Sequence, residues 1–286
     1  MSEESTLPPR PVPPPPQPAW AVILDAVGGQ FIRLITLASE SLAGRIAKIG
    51  EVIVLLFSIV KRAPWFFMNP SLTLDQLIRI GVSSLPLVMV ISFFIGAVSA
   101  IQAEYQFRGF VPANYLGTAV CKLVIIESGP VLTALVLSGR VGSAIAAEIG
   151  TMKEKEELDA MTVLNLDPLR YLALPRLISG ILTFPLLVII ADFLSIIGGW
   201  IIVTLVLNVT TATYVFGLRF LFQPYDVFIS MVKAMVFGGI VVLMGYYHGL
   251  SAGPGAKGVG QASMKSVVSS CMLILVVDFL IVYIAY

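Results

Sequence analysis

Five ionisable side chains lie in otherwise apolar stretches of this chain: Lys122, Glu127, Asp192, Lys233 and Asp278. Two cations and three acids so placed can pair with one another, line a polar cavity for a charged ligand, or relay protons. At the centre of a bilayer each costs at least ~2.5 kcal/mol on insertion scales, so none should face lipid. A second candidate is "GTMKEKEELDAM", residues 150–161, in which every position from Lys153 to Asp159 except Leu158 is charged. Mixed charge in so dense a block suits a contact with another protein, with a solvated face as the plain alternative. No catalytic residue stands out, because nucleophilic chemistry needs a paired base and His248 is the only histidine. No metal or cofactor is expected. No G-x-x-x-x-G-K-[ST] occurs, so ATP chemistry must come from another chain. "GPGAKG", 253–258, matches a dinucleotide fingerprint formally, but a spanning helix rather than a strand precedes it.

Apolar helices must position these groups. The chain has 286 residues, 57% hydrophobic and only 12% charged, with a mean hydropathy of +0.94. A soluble domain carries about a quarter charged residues, so this is an integral membrane protein. The expected fold is all-α: an N-terminal interfacial amphipathic segment followed by five transmembrane helices, near 80–103, 115–150, 177–206, 227–250 and 265–286. Residues 1–20 are proline-rich and should form a disordered tail. Residues 21–75 mix charge with apolar runs too short to span, which suits the membrane interface. A net charge of +1 argues against nucleic acid as a partner. Cys121 and Cys271, far apart in apolar stretches, read as small core residues.

Basic residues set the orientation. Seven precede the first helix (Arg10, Arg33, Arg45, Lys48, Lys61, Arg62, Arg79). Lys153, Lys155, Arg170 and Arg176 follow the second, and Lys257 and Lys265 follow the fourth. The opposite side has only Arg108 and Arg219. The N-terminus is therefore expected in the cytoplasm and the C-terminus outside. At ~1.5 Å per residue, Lys122 lies ~10 Å and Glu127 ~18 Å below the outer end of helix two, and Lys233 ~10 Å in from outside. Asp192 and Asp278 rise ~24 and ~20 Å from the cytoplasm. All five fall in the central-to-outer part of the bilayer, either as struts between helices or as the lining of an outward cavity; the two readings are compatible.

The connection after helix two should hold a short cytoplasmic helix that ends at Asp167-Pro168. Its acids lie beside an apolar ridge of Leu158, Met161 and Leu164, which suits either docking on another protein or packing on its own bundle. In helix two, Gly139, Gly142, Ser143, Ala146, Ala147 and Gly150 recur at spacings of three and four, which lets helix backbones approach closely.

The ordered series Glu127-x-Gly129-Pro130, Gly139-Arg140-x-Gly142-Ser143, Ala147-Glu148-Ile149-Gly150-x-Met152, Glu157-x-Asp159-Ala160-Met161, Asp167-Pro168 and Pro175-Arg176 resembles the signature region of the MlaE/YrbE permease family. These are membrane subunits of lipid-transporting ABC systems. The resemblance implies a permease domain over 76–286 with a cytoplasmic coupling helix at about 151–166, bearing Glu154, Glu156, Glu157, Asp159 and Met161. It implies a homodimer over a cytoplasmic ABC ATPase dimer, an extracytoplasmic MCE-domain protein, a phospholipid or related substrate, and residence in a bacterial inner membrane. The chain itself is not expected to be an enzyme. An ion- or proton-coupled secondary transporter using Lys122, Glu127, Lys233 and Asp278 is the main rival, although no internal repeat supports it. An intramembrane hydrolase lacks the nucleophile–base pair it would need.

Overall fold

The computed structural model describes residues 47, 50–62, 64, 70–107, 109, 112 and 115–286. The proline-rich tail, most of the expected interfacial segment before residue 50, and Arg108 lie outside the described residues. Among the described residues the elements are all helical. Five helices are long and apolar enough to cross a membrane, the number expected from the apolar lengths.

α1 (Gly50–Val60) is apolar but too short to cross. It buries Ile59 while Ile53, Val54 and Phe57 stay exposed. The first span joins α2 (Pro70–Ile80) to α3 (Leu85–Phe107). The second contains α4 (Leu116–Leu123), a π-turn (Val124–Ser128), α5 (Gly129–Leu137), a second π-turn (Ser138–Gly142) and α6 (Ser143–Glu154). α7 (Glu157–Val163) follows as a separate short helix. A third π-turn (Leu169–Ala173) opens α8 (Leu174–Leu205). α9 (Thr211–Phe220) precedes α10 (Pro224–Leu250) and α11 (Gly255–Ala285). The last span begins at Gly255 rather than near 265, because Pro254 occupies its N-cap and no proline follows.

The second and fourth spans are the most enclosed, each 56% buried over its most apolar stretch, against 17% for the fifth. Polar groups on the two central spans must therefore be satisfied inside the protein. The core between α5, α6, α8 and α10 is filled by Leu137, Ile149, Phe184, Phe237, Val241 and Tyr246. A smaller cluster, Val120, Val124, Val203 and Tyr214, closes the other end of the bundle. α3 and α8 touch backbone to backbone: a Cβ at Gly96 would sit 1.7 Å from the Ser195 carbonyl oxygen. At the same crossing the Ser195 hydroxyl donates to the Ser92 carbonyl at 2.7 Å.

α9 was not foreseen from the sequence, being only one short helix of mixed character. It starts at Thr210, whose hydroxyl accepts from the Thr213 amide at 3.4 Å. The Tyr214 phenol, pushed up by burial, donates to the Ile196 carbonyl at 3.1 Å. Thr118 of α4 donates to the Gly217 carbonyl, so α9 caps the N-terminal end of helix two.

Candidate functional site

Lys233 of α10 is fully buried, and its ammonium meets three oxygens, two as a hydrogen-bond donor (Glu127 and Ile126) and the third, on Asp278, as an ion pair. These are Glu127 Oε2 at 2.8 Å, the Ile126 carbonyl at 2.9 Å and Asp278 Oδ1 at 2.7 Å. Three spans are thereby tied at one point. The Ile126 carbonyl is available because the residue four positions on, Pro130, has no N–H to donate to it. Of the two carboxylates, Asp278 is 9% exposed and Glu127 45%, so Glu127 is the member that faces outward from the cluster.

Glu127 faces a pocket of ≈ 370 Å³. Gln102, Gln106 and Lys122 supply its other polar groups, while Ala103, Phe107, Ala119 and Leu123 supply apolar wall. Lys122 does not join the Lys233 cluster. Its ammonium pairs at 3.1 Å with Asp226 Oδ2 in the first turn of α10. The Tyr286 hydroxyl donates to the other oxygen of that carboxylate at 2.9 Å. Burial and this hydrogen bond push the Tyr286 phenol up to about 12, so it remains a donor at neutral pH. Asp226 was missed in the sequence, where an acid two residues after a helix-opening proline reads as an ordinary first-turn residue.

Asp192 stands apart from the other four. It is buried in α8, and its Oδ1 has no hydrogen-bond partner among the described residues. A Cβ added at Gly129 would lie 1.8 Å from that oxygen. Gly129, which closes the first π-turn, thus lets Asp192 come directly against helix two. Gly129→Ala is expected to destabilise the protein by about 1–3 kcal/mol through overpacking. Adding Asp192→Ala should restore most of the loss. Thermal unfolding in detergent decides, and an unchanged melting point for Gly129→Ala would show that the approach carries no strain.

The comparisons with known proteins agree with this architecture. The family model described as "Permease MlaE" matches residues 73–284. The chain belongs to the MlaE permease family. A probable ABC transporter permease of Rickettsia bellii is 38% identical over 91% of this chain and 96% of its own length. One of Synechocystis is 34% identical over 77% of this chain and 83% of its own. The chloroplastic protein Trigalactosyldiacylglycerol 1 of Arabidopsis thaliana is 32% identical over 73% of this chain and 60% of its own. This MlaE-family chain is therefore a multi-pass ABC transporter permease.

In this MlaE-family permease the charged block forms a corner of its own. Glu156 adopts a left-handed backbone conformation (φ 60°) that breaks α6 from α7, and Asn165 (φ 58°) lies just beyond the other end. α7 is held by Leu158, which is buried in the main core, and Met161 is half-buried. Leu164 of the expected ridge is 70% exposed, so the apolar ridge divides into an anchored end and a free end. Glu154, Glu156, Glu157 and Asp159 are all exposed. Lys153 donates to the Ala252 carbonyl at 2.9 Å and ties the block to the turn after α10. Asp167 pairs with Arg62 and accepts from the Leu169 amide at 3.0 Å, fixing the return into the third span.

The small residues of helix two divide in the same way. Ideal Cβ atoms at Gly142 and Gly150 would meet α10, α11 or the turn between them at 3.4 and 3.1 Å. Gly139 would meet nothing within 4 Å, and Ser143 donates back to the Gly139 carbonyl of its own helix. Arg140 points to neither helix and donates to Ser84 Oγ.

Proposed function

We propose that this permease moves a phospholipid, or a related lipid, between a bacterial inner membrane and the outer envelope. It works as a homodimer, powered by two copies of a separate cytoplasmic ABC ATPase and served outside by an MCE-domain protein. The observation that carries this reading is the pocket at Glu127, where Gln102, Gln106, Lys122 and Glu127 stand beside the apolar side chains of Ala103, Phe107 and Leu123. Its ≈ 370 Å³ suits a headgroup and glycerol rather than a whole lipid, which leaves the acyl chains along apolar helix faces. The Arabidopsis relative bears the name of a glycerolipid, which supports a lipid substrate. The excess of basic residues on the α7 side supports a cytoplasmic location for α7 and an outward location for this pocket.

The four exposed acids from Glu154 to Asp159, on a corner anchored by Leu158, suit α7 to receive the stroke of the ATPase. Membership of the ABC permease family weighs against ion-coupled transport by the Lys233 cluster. The test is reconstitution in proteoliposomes carrying a fluorescent phospholipid. The chain alone should hydrolyse no ATP, and lipid transfer should require the ATPase and ATP on the α7 face. ATP hydrolysis by the isolated chain, or transfer driven by a proton gradient without the ATPase, would overturn the reading.

A further inference from the structure

Helix two contains a second charged residue in a second π-turn. Arg140 lies in Ser138–Gly142, as Glu127 lies in Val124–Ser128. π-turns expose backbone and re-aim side chains, and they recur at functional positions. Arg140 reaches into a groove of ≈ 420 Å³ between α2 and α6, together with Gln76, Arg79, Ser83 and Glu148. Ile80, Ala144 and Ile145 form its apolar floor.

The charges in and behind this groove do not balance. Among the described residues that line the groove Glu148 is the single carboxylate, and it is already shared by Arg79 at 3.1 Å and Arg176 at 2.9 Å. Arg176 is 2% exposed, and its Nε and Nη1 have no partner among the described residues. Arg140 is satisfied there by a neutral serine hydroxyl. Three guanidinium groups against one carboxylate leave an excess of two positive charges. Planar guanidinium donors match phosphate oxygens closely.

Its level in the membrane selects the kind of phosphate. Arg140 and Glu148 are 13 and 21 residues beyond Glu127 on the same span, ~20 and ~32 Å at ~1.5 Å per residue. Glu127 is already ~18 Å below the outer end of helix two, so those further distances carry the groove past the ~30 Å hydrocarbon core to the headgroup layer on the α7 side. On the same side α2 and the turn after it expose Leu74, Ile78 and Val82, a surface for acyl chains. Free phosphate would satisfy the arginines but leave the floor wet. Basic pockets between helices on the cytoplasmic side suit lipid headgroups.

We propose that this groove binds the phosphodiester headgroup of a glycerophospholipid in the cytoplasmic leaflet. Arg79 and Arg140 hold the phosphate oxygens and Gln76 and Ser83 take the remaining polar atoms. The proposal rests on the lipid-permease reading for its place in transport: the groove is the inner station of the path whose outer station is the Glu127 pocket.

The experiment uses the full chain in nanodiscs of phosphatidylcholine containing a minor fraction of photoactivatable phosphatidylglycerol. Wild type should cross-link within 76–84 and 140–148. Arg79→Gln with Arg140→Gln should lower that labelling about tenfold or more through loss of charge-assisted bonds, while labelling around Glu127 persists. Ala144→Phe, which fills the groove from an exposed position and keeps every arginine, should lower it as well. Undiminished labelling in both variants overturns the proposal. Competition by inorganic phosphate assigns the groove to a soluble anion and overturns it too. So does a disulfide between two copies of Gln76→Cys in membranes, which would place a second chain over the groove. A protein that transports lipid without groove labelling sinks this proposal alone; groove labelling without transport sinks the permease reading instead.

Discussion

Lys233→Met is expected to destabilise the protein by about 3–5 kcal/mol and to abolish transport. The ammonium is fully buried and is held by two carboxylates and the Ile126 carbonyl, all within 2.9 Å. Removing one partner of a buried ion pair leaves the other charge uncompensated, which is the source of that magnitude. Here two acids lose their cation at once, and a π-turn carbonyl loses its donor. Lys233→Met with Asp278→Leu removes both buried members and should recover most of the stability, because well-packed apolar side chains can replace a buried pair. Transport should stay lost in that double variant, since Glu127 would face the pocket with no cation behind it. Thermal unfolding and lipid transfer, measured on the two variants side by side, check the prediction. A wild-type melting point for Lys233→Met would mean that the three contacts contribute no net stability.

Reversing Glu157 and Asp159 to lysine should lower lipid-stimulated ATP hydrolysis and transport at least tenfold while the bundle stays folded. Both side chains are exposed, and Lys155 lies 4.0 Å from Glu157, at the limit of an ion pair. Surface changes of this kind alter stability by about 0.5 kcal/mol or less. At a docked interface the same reversal replaces attraction with repulsion, which costs several kcal/mol. Co-purification of the ATPase, ATP hydrolysis and lipid transfer are the three readouts. Wild-type values for all three, with normal expression, would make this corner only a solvated surface.

The five spans were legible because length and apolar content alone decide whether a helix can cross a bilayer. The buried charges were legible individually, because each interrupts an apolar run. Their grouping was not. Lys233, Glu127 and Asp278 meet, whereas Lys122 turns to Asp226 and Asp192 rests against Gly129. Which helix faces which is set by packing, and periodicity does not encode it. The π-turns were invisible for a different reason: "VIIES" and "SGRVG" have no composition that separates them from ordinary helix. Arg79 shows the same limit. As a span flank it reads as a topological marker, yet with Glu148 and Arg140 it lines a groove assembled from two distant segments.

The paired π-turns of helix two also bear on the chain's tolerance of insertions and deletions. Each widened turn takes one residue more than a regular helix would use there, the imprint of a single-residue insertion absorbed without breaking the rod. Deleting the extra residue at either turn would restore a regular helix there and leave its flanks in phase, whereas deleting a residue of regular helix between the two turns would rotate all that follows by about 100°. Such a deletion in the regular helix between them would leave Glu127 and Arg140 unable to reach their present partners at the same time, although hydropathy, length and composition would scarcely change. Sequence alignments of this span should therefore be judged by phase as well as by identity. A one-residue gap in the regular helix between the two turns, Gly129–Leu137, changes the geometry more than several substitutions on the lipid-exposed face.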